Sequence, residues 1–143
     1  MILLIEKKSF LEGINSGRIN IENEIWPLVI HEIRPPFNGD IEIIWKWHLW
    51  DHLIQDQDSS LNNYGIIKNH PEIININIGE FTNLSEGDWL HTNAIAYNEQ
   101  LDQIIISSRL LSEIFIIDHS TTIEQASEHT GGNSNKGGDI LYR

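Results

Sequence analysis

His91 and Arg109 carry side chains suited to oxyanions, and the sequence between them predicts a β-hairpin. Its strands are predicted at residues 92–98 and 102–108, joined by a three-residue loop at 99–101, a common hairpin length. If the residues flanking the loop pair, equal steps outward set His91 opposite Arg109. Arginine offers a planar fork of donors, and histidine adds a donor or a proton. The spacing therefore predicts an oxyanion site; the alternative is an arginine paired with a surface carboxylate.

Small polar residues lie beside both members of this predicted pair. Asp88 shortly precedes His91 and can orient it, and Trp89 can pack beside it. Ser108 places a hydroxyl directly before Arg109. We therefore predict His91 and Arg109 as catalytic residues, and His91, Arg109 and Ser108 as substrate-binding residues.

A second cluster, His48, Asp51 and His52, has the spacing of a metal site on a helix. The acidic base of a zinc-protease motif is absent between the histidines, and no third ligand is evident. His48 can also end a strand, which breaks the helical geometry. Packing among the neighbouring tryptophans is the preferred interpretation, so we expect no metal.

Two further motifs lack the residue spacing that their chemistry requires. In the glycine-rich segment 129–138, Lys136 precedes Gly137 and is not followed by Ser or Thr, so a phosphate-binding loop is not indicated. The segment is interpreted as a mobile surface excursion or as part of the rim of a ligand channel. Asp118, His119 and Ser120 are adjacent, and neighbours in a strand face opposite ways, which argues against a hydrolase triad. No nucleotide or other cofactor is expected.

Composition limits the classes of partner. The chain has 143 residues, enough for one ordinary domain, and a formal net charge of −12, which opposes nucleic-acid and anionic-membrane binding. It has no cysteine, no signal-peptide pattern at its start and no apolar run long enough to span a membrane. Periplasm and cytoplasm both remain open as its compartment.

The strand pattern predicts an all-β fold. Strands are predicted at residues 2–5, 25–33, 41–48, 92–98, 102–108, 113–117 and 139–142, with at best a weak helix within 11–19 and a helical turn or two within 50–55.

A weak internal repeat suggests how these strands are grouped. Gly39-Asp40-Ile41 and Gly138-Asp139-Ile140 each precede a strand. Sequential units of four antiparallel strands are typical of propeller blades, which need neighbouring blades to cover their faces. We therefore predict part of a β-propeller, with an incomplete blade at residues 1–49, an inter-blade excursion at 50–90 and a second blade at 91–143.

Several stretches resemble the bacterial aryl-sulfate sulfotransferase family. They are Glu6-Lys-Lys8, Ile44-Trp-Lys-Trp-His-Leu-Trp-Asp-His-Leu-Ile54, Asn63-Tyr-Gly65, His70-Pro-Glu72, Asp88-Trp-Leu-His91, Ile106-Ser-Ser-Arg109, Ile116-Ile-Asp-His-Ser-Thr-Thr122, and His129-Thr-Gly-Gly-Asn133 through Gly137-Gly-Asp139.

The resemblance implies a β-propeller that moves a sulfuryl group between phenols through a sulfated histidine, without a nucleotide donor. It also implies that His91 and Arg109 contact the sulfate. The family's nucleophilic histidine has no counterpart in this sequence; its motif belongs after Arg143, and another sulfate-contacting histidine belongs before Met1. The resemblance thus indicates an internal fragment of a larger enzyme.

Two functions follow from these observations. The chain is part of an aryl-sulfate sulfotransferase with aryl sulfates and phenols as small-molecule partners, or it is a non-catalytic β-rich binding or structural module derived from such a propeller. In the first case the 143-residue chain alone is expected to be inactive. Uncovered blade faces and strand edges also predict self-association into a homo-oligomer.

Overall fold

The protein is mostly β-structure with little helix. A computed structural model describes residues 2–18, 24–36, 39–78 and 87–143. The described elements are β1 (Ile2–Ile5), β2 (Lys8–Ser9), α1 (Phe10–Asn15), β3 (Glu24–Ile25), β4 (Leu28–Arg34), β5 (Glu42–His48), β6 (Leu53–Ile54), β7 (Ile74–Asn75), β8 (Thr92–Asn98), β9 (Gln103–Ser108), β10 (Glu113–Asp118) and β11 (Ile140–Tyr142), with 3₁₀ turns at Leu49–Asp51, Ile67–Asn69 and Gln125–Ser127.

The larger sheet contains the last four strands in spatial order β11-β10-β9-β8, all antiparallel. The four successive antiparallel strands predicted from residue 91 onward are therefore confirmed. Alternation along β9 buries Ile104 and Ile106, while the residues between them are half-buried. This period of two is what orients one face of the sheet toward the core.

The second sheet has three antiparallel strands in the order β1-β4-β5. The strand predicted at residues 25–33 is instead split into β3 and β4 by Trp26 and Pro27. Proline has no N–H to donate to a ladder. The Pro27 carbonyl accepts from the Glu6 N–H at 2.9 Å, and the Trp26 N–H donates to Gly87 at 2.8 Å.

A short helix forms where the sequence favours a loop. Ser9 caps α1, because its hydroxyl accepts from the Glu12 N–H and the Glu12 carboxylate accepts from the Ser9 N–H. This reciprocal capping box offsets the low helix propensity of Gly13 in a helix of only six residues. The chain leaves the helix through Gly17, whose φ of 82° is a left-handed conformation.

The segment between the two larger sheets has its own small ladder. The predicted helical turn within 50–55 is only partly present, as a 3₁₀ turn at Leu49–Asp51. After it, β6 pairs with β7 in parallel. No helix in the described ranges is long and apolar enough to span a lipid bilayer.

One continuous core joins these parts. Its buried hydrophobic residues come from both larger sheets and from the segment between them, and include Ile30, Trp47, Leu49, Ile74, Ile76, Ile104, Ile106, Phe115 and Ile117. Burying each large aliphatic side chain stabilises the fold by roughly 1.5–3 kcal/mol. The described strands form open sheets of two to four strands, none of them closed.

Candidate functional site

The hairpin that holds His91 and Arg109 is present, but its register differs from the predicted one. β8 begins and ends as predicted, whereas β9 begins one residue late, and Asn98 pairs with Gln103 rather than with Asp102. The loop therefore contains residues 99–102. Asp102 adopts a left-handed φ of 51°, and the Asn98 side chain accepts from the N–H groups of Gln100 and Leu101. A side chain that caps the turn in this way stabilises the longer loop.

A β-bulge compensates for the extra loop residue. Ala94 pairs with Ser107 and Thr92 pairs with Ser108, so Asn93 is the additional residue in β8. Beyond the bulge the pairing continues, and the Arg109 N–H donates to the His91 carbonyl at 3.1 Å. The backbones of His91 and Arg109 therefore lie side by side as predicted. They do so because the bulge at Asn93 offsets the longer loop, and the sequence pattern predicted neither.

Asp88 fixes His91 at this sheet end. Its Oδ1 accepts from the His91 N–H at 3.0 Å, and its Oδ2 lies 2.6 Å from His91 Nδ1. A carboxylate accepts, so Nδ1 donates in this contact and Nε2 is left on the side of the ring that Asp88 does not engage. His91 also has a left-handed φ of 44°, uncommon for a residue with a side chain, and 43% of the side chain is exposed. This arrangement presents a tautomer-fixed imidazole to solvent.

Arg109 is exposed at the same end. Among the residues that the structure describes, no carboxylate pairs with its guanidinium and no hydrogen bond engages it. The alternative of a surface ion pair is therefore not observed within those ranges. A guanidinium without a carboxylate partner keeps its fork of donors available for an external anion.

Ser108 lies next to the pair but faces inward. It is 2% exposed, and its hydroxyl donates to the Leu90 carbonyl at 2.5 Å. This hydrogen bond holds Leu90 against β9. Leu90 lies directly before His91, so Ser108 helps to position the histidine. The structure brings His91, Arg109 and Ser108 together at one sheet end, and it gives Ser108 a contact that positions its neighbour.

His48 and His52, which the sequence spacing grouped into one possible metal site, make separate contacts in the structure. His48 ends β5, and its Nδ1 lies 3.5 Å from Glu6 Oε2. His52 is fully buried, and its ring stacks on Trp47 with a centroid distance of 5.4 Å. The helical geometry that could have joined them is absent, and packing against tryptophan is the role observed for His52.

The glycine-rich segment 129–138 is tied to β10 by Asp118. That buried carboxylate accepts from the Ser120 N–H, the Ser120 hydroxyl at 2.5 Å and the Ser134 N–H at 2.7 Å. Burial raises the pKa of Asp118, but the hydrogen bonds from Ser120 and Ser134 outweigh it and leave the pKa below its usual value. The segment is held by specific contacts, unlike the mobile excursion considered above.

Asp118, His119 and Ser120 do not form a triad. Asp118 and Ser120 bond to each other, whereas His119 faces the other way and contacts Asp102 and Glu32. This is the consequence expected of neighbours on opposite faces of a strand.

Sequence reasoning missed a different polar cluster. His52 Nδ1 lies 2.9 Å from Asp139 Oδ1, and His129 Nδ1 lies 2.7 Å from the same oxygen. His52 and Asp139 are 87 residues apart, so local spacing carries no signal for their meeting. The segment around the cluster also borders a cavity of about 580 Å³, whose lining includes Trp50, His70 and His129.

Comparison with known proteins identifies the family to which this chain belongs. The sequence model described as Arylsulfotransferase (ASST) matches residues 36–131, which is more than half of the chain. The chain belongs to the arylsulfotransferase family. The part that matches the ASST family contains Asp88, His91, Ser108 and Arg109. No curated protein and no solved structure matches the chain.

Proposed function

We propose that this chain forms the sulfate-binding part of an aryl-sulfate sulfotransferase, with His91 and Arg109 as the residues that contact the transferred group. The observation that carries the proposal is the sheet end itself, where the Arg109 N–H bonds the His91 carbonyl and Asp88 holds the imidazole. Membership of the ASST family makes sulfuryl transfer the chemistry that this pair serves best. The guanidinium compensates the negative charge of the sulfuryl oxygens.

The proposed reaction has two steps. In the first, a nucleophilic histidine attacks sulfur, an S–N bond forms, the S–O bond to the aryl group breaks, and the phenol leaves after its oxygen gains a proton. In the second, the oxygen of an acceptor phenol attacks sulfur, loses its proton, and the S–N bond breaks. The sulfated histidine lies outside this chain in our proposal, because none of its seven histidines matches the family's nucleophile motif.

His91 is suited to the proton transfers of both steps. With Nδ1–H donated to Asp88, a protonated Nε2 can give its proton to the departing phenol in the first step, and the neutral Nε2 that results can take the proton of the acceptor phenol in the second. The Asp88 carboxylate stabilises the imidazolium, which is present before the first step and is restored by the second. Arg109 keeps its charge at every working pH, so it suits binding of the anion rather than proton transfer.

The proposed architecture is part of a β-propeller. The four-stranded sheet corresponds to a blade at residues 91–143, and the three-stranded sheet corresponds to an incomplete blade at 1–49. Residues 50–90 connect them. In such a fold, inner strand ends meet at a central channel, and the His91–Arg109 end of the hairpin is then the channel end.

The test is turnover by the complete protein that carries this chain. We expect His91→Ala and Arg109→Ala each to lower the release of phenol from an aryl sulfate, with a second phenol as acceptor, by about 10²-fold or more, because each removes one transition-state donor. The 143-residue chain alone is expected to show little turnover.

Matched controls come from within the chain. His70 is also exposed and carboxylate-paired, with its Nδ1 2.8 Å from Glu72, and Arg34 is an exposed arginine paired with Glu42. His70→Ala and Arg34→Ala should leave turnover within about twofold of the parent. Normal turnover in both site variants would exclude the assigned roles and favour the non-catalytic module.

A further inference from the structure

Three potential metal ligands converge beside the glycine-rich segment. They are His52, His129 and Asp139, and one ligand atom from each lies within 4.8 Å of the others. Asp139 Oδ1 is the shared partner of both imidazoles, at 2.9 Å from His52 Nδ1 and 2.7 Å from His129 Nδ1. The three residues come from two parts of the chain that only the folded structure brings together.

The surroundings of His52 prepare it as a ligand. Its Nε2 lies 2.9 Å from the Ala126 carbonyl, and a carbonyl can only accept, so Nε2 carries a proton. His52 Nδ1 is then the nitrogen left to bind a metal beside Asp139, and binding displaces the proton that otherwise joins Nδ1 to the carboxylate. A metal-binding histidine commonly donates its second N–H to a backbone carbonyl in this way. Trp47 stacks on the ring and donates to the Gly138 carbonyl at 2.7 Å, which fixes the ring plane.

The donor set has a clear metal preference. Two imidazole nitrogens with one carboxylate oxygen suit zinc and similar divalent first-row metals, which then keep a fourth position for solvent. Around a tetrahedral zinc the ligand atoms lie about 3.3 Å apart, so both contacts to Asp139 would lengthen by about half an ångström. The two imidazole nitrogens, which lie within 4.8 Å of each other, would close on the ion. The side chain of His129 is 59% exposed and borders the cavity, which gives an entry path. The net charge of −12 further favours a cation.

We propose that His52, His129 and Asp139 bind a divalent transition metal such as zinc, through Nδ1 of each histidine and a carboxylate oxygen. The prediction of no metal rested on His48 with His52, and His48 has no part in this set. The ion would fasten the glycine-rich segment to the segment after β5. Zinc binding here is independent of sulfuryl transfer at His91 and Arg109.

The experiment uses the 143-residue chain stripped with a chelator and titrated with Zn²⁺ alone by calorimetry. Co²⁺ replaces zinc in a parallel titration, because tetrahedral cobalt gives visible absorption. We expect one ion per chain and a higher melting temperature with metal. His129→Ala should weaken zinc affinity by about 100-fold or more, since it removes a direct ligand where loss of a supporting contact already costs 10–100-fold.

His70→Ala is the matched control, since His70 is an exposed histidine on the same cavity. It should leave zinc affinity unchanged. Asp139→Asn tests the buried ligand, and circular dichroism checks that each variant folds. The proposal is overturned by an absence of stoichiometric binding, by wild-type affinity in His129→Ala, or by an equal loss in His70→Ala. In any of these cases the three residues form only a hydrogen-bonded cluster.

Discussion

At the scale of single residues, the proposed site depends on Asp88, a carboxylate that holds His91 in place and does not itself bind the anion. Asp88 accepts from both the backbone and the ring of His91, and it therefore sets the ring's tautomer and its orientation together. The left-handed backbone of His91 costs free energy, and the Asp88 contacts help to offset that cost. Asp88 is thus a positioning residue for His91.

Replacing Asp88 tests this role. Asp88→Asn keeps the shape of the side chain but removes its charge, so we expect turnover of the complete protein to fall by about 10-fold or more. The pH profile of kcat should also change, because the imidazolium loses its counter-charge. Glu72→Gln makes the same change beside His70 and should leave both quantities unaltered. An unchanged pH profile in Asp88→Asn would show that Asp88 has only a structural role.

Asp118 predicts an acid-side loss of stability. Its pKa is lowered in the folded protein, so the unfolded chain binds the proton more tightly. The contribution of Asp118 is therefore complete above about pH 4 and disappears as the pH falls through the folded pKa. Asp118→Asn should reduce the free energy of unfolding at pH 7 by about 1–3 kcal/mol and flatten its decline in acid.

Urea unfolding between pH 2 and pH 7 measures this effect. Asp40→Asn is the control, since Asp40 is exposed and has no hydrogen bond or ion pair within the described ranges. It should give a profile parallel to that of the wild type. Identical acid profiles for Asp118→Asn and the wild type would contradict the assignment.

At the scale of elements, two local irregularities determine where side chains arrive. The four-residue loop moves the hairpin register by one, and the bulge at Asn93 moves it back. Asn93 is fastened by a hydrogen bond from the Ser107 hydroxyl at 2.8 Å. Bulges re-aim residues near strand ends in this manner. Local geometry also determines the packing of the glycine-rich segment, because its backbone approaches Asp118 so closely that a residue without a side chain is required there.

Gly132 gives the element-scale prediction. Its φ is 68°, and an added Cβ would lie 2.7 Å from Asp118 Oδ2 and 2.8 Å from Thr121 Cγ2. We expect Gly132→Ala to reduce the free energy of unfolding by at least about 2 kcal/mol, because backbone strain and the clash add. Thermal and urea denaturation measure the change.

Asn135→Ala controls for the backbone alone. Asn135 is exposed and has a similar left-handed φ of 56°, but it already carries a Cβ. Replacing Asn135 by alanine should lower the free energy of unfolding by less than about 1 kcal/mol. Equal losses in the two variants would mean that the contact with Asp118 is unimportant.

At the scale of the whole molecule, His119 joins the two larger sheets. Its Nε2 lies 3.0 Å from Glu32 in β4, and its Nδ1 lies 2.7 Å from Asp102 in the hairpin loop. Carboxylates accept, so the imidazole is the donor in these contacts. The ring also packs against Trp45 at 4.7 Å and Tyr97 at 5.2 Å. One imidazole ring thus links two carboxylates from different parts of the fold.

Removing the donors of His119 should loosen the contact between the sheets. His119→Phe keeps a ring against Trp45 but has no donors, and we expect it to lower the free energy of unfolding by about 1–2 kcal/mol, since the carboxylates are partly exposed. A double-mutant cycle with Glu32→Gln isolates the bridge. An additive cycle would show that Glu32 and His119 act independently.

The sequence by itself determined the longer strands and their grouping into two sheets, though not the break at Trp26 and Pro27 or the small β6–β7 ladder. Turn residues delimit β8, and the succession of four antiparallel strands from residue 91 is confirmed. These signals are local, because side-chain direction in a strand repeats every two residues. The stretch around His91 and Arg109 also carried the ASST family resemblance, which the family match over residues 36–131 supports.

Only the tertiary structure decided what these local patterns bring together. The predicted pairing of Asn98 with Asp102 was wrong, yet the bulge at Asn93 still brought the backbones of His91 and Arg109 together, because two register shifts cancel. The meeting of His52 with Asp139, 87 residues away, depends on how the glycine-rich segment packs against Trp47. Spacing in a sequence reports neighbours on one element, whereas contacts between elements depend on register, bulges and packing that no local pattern contains.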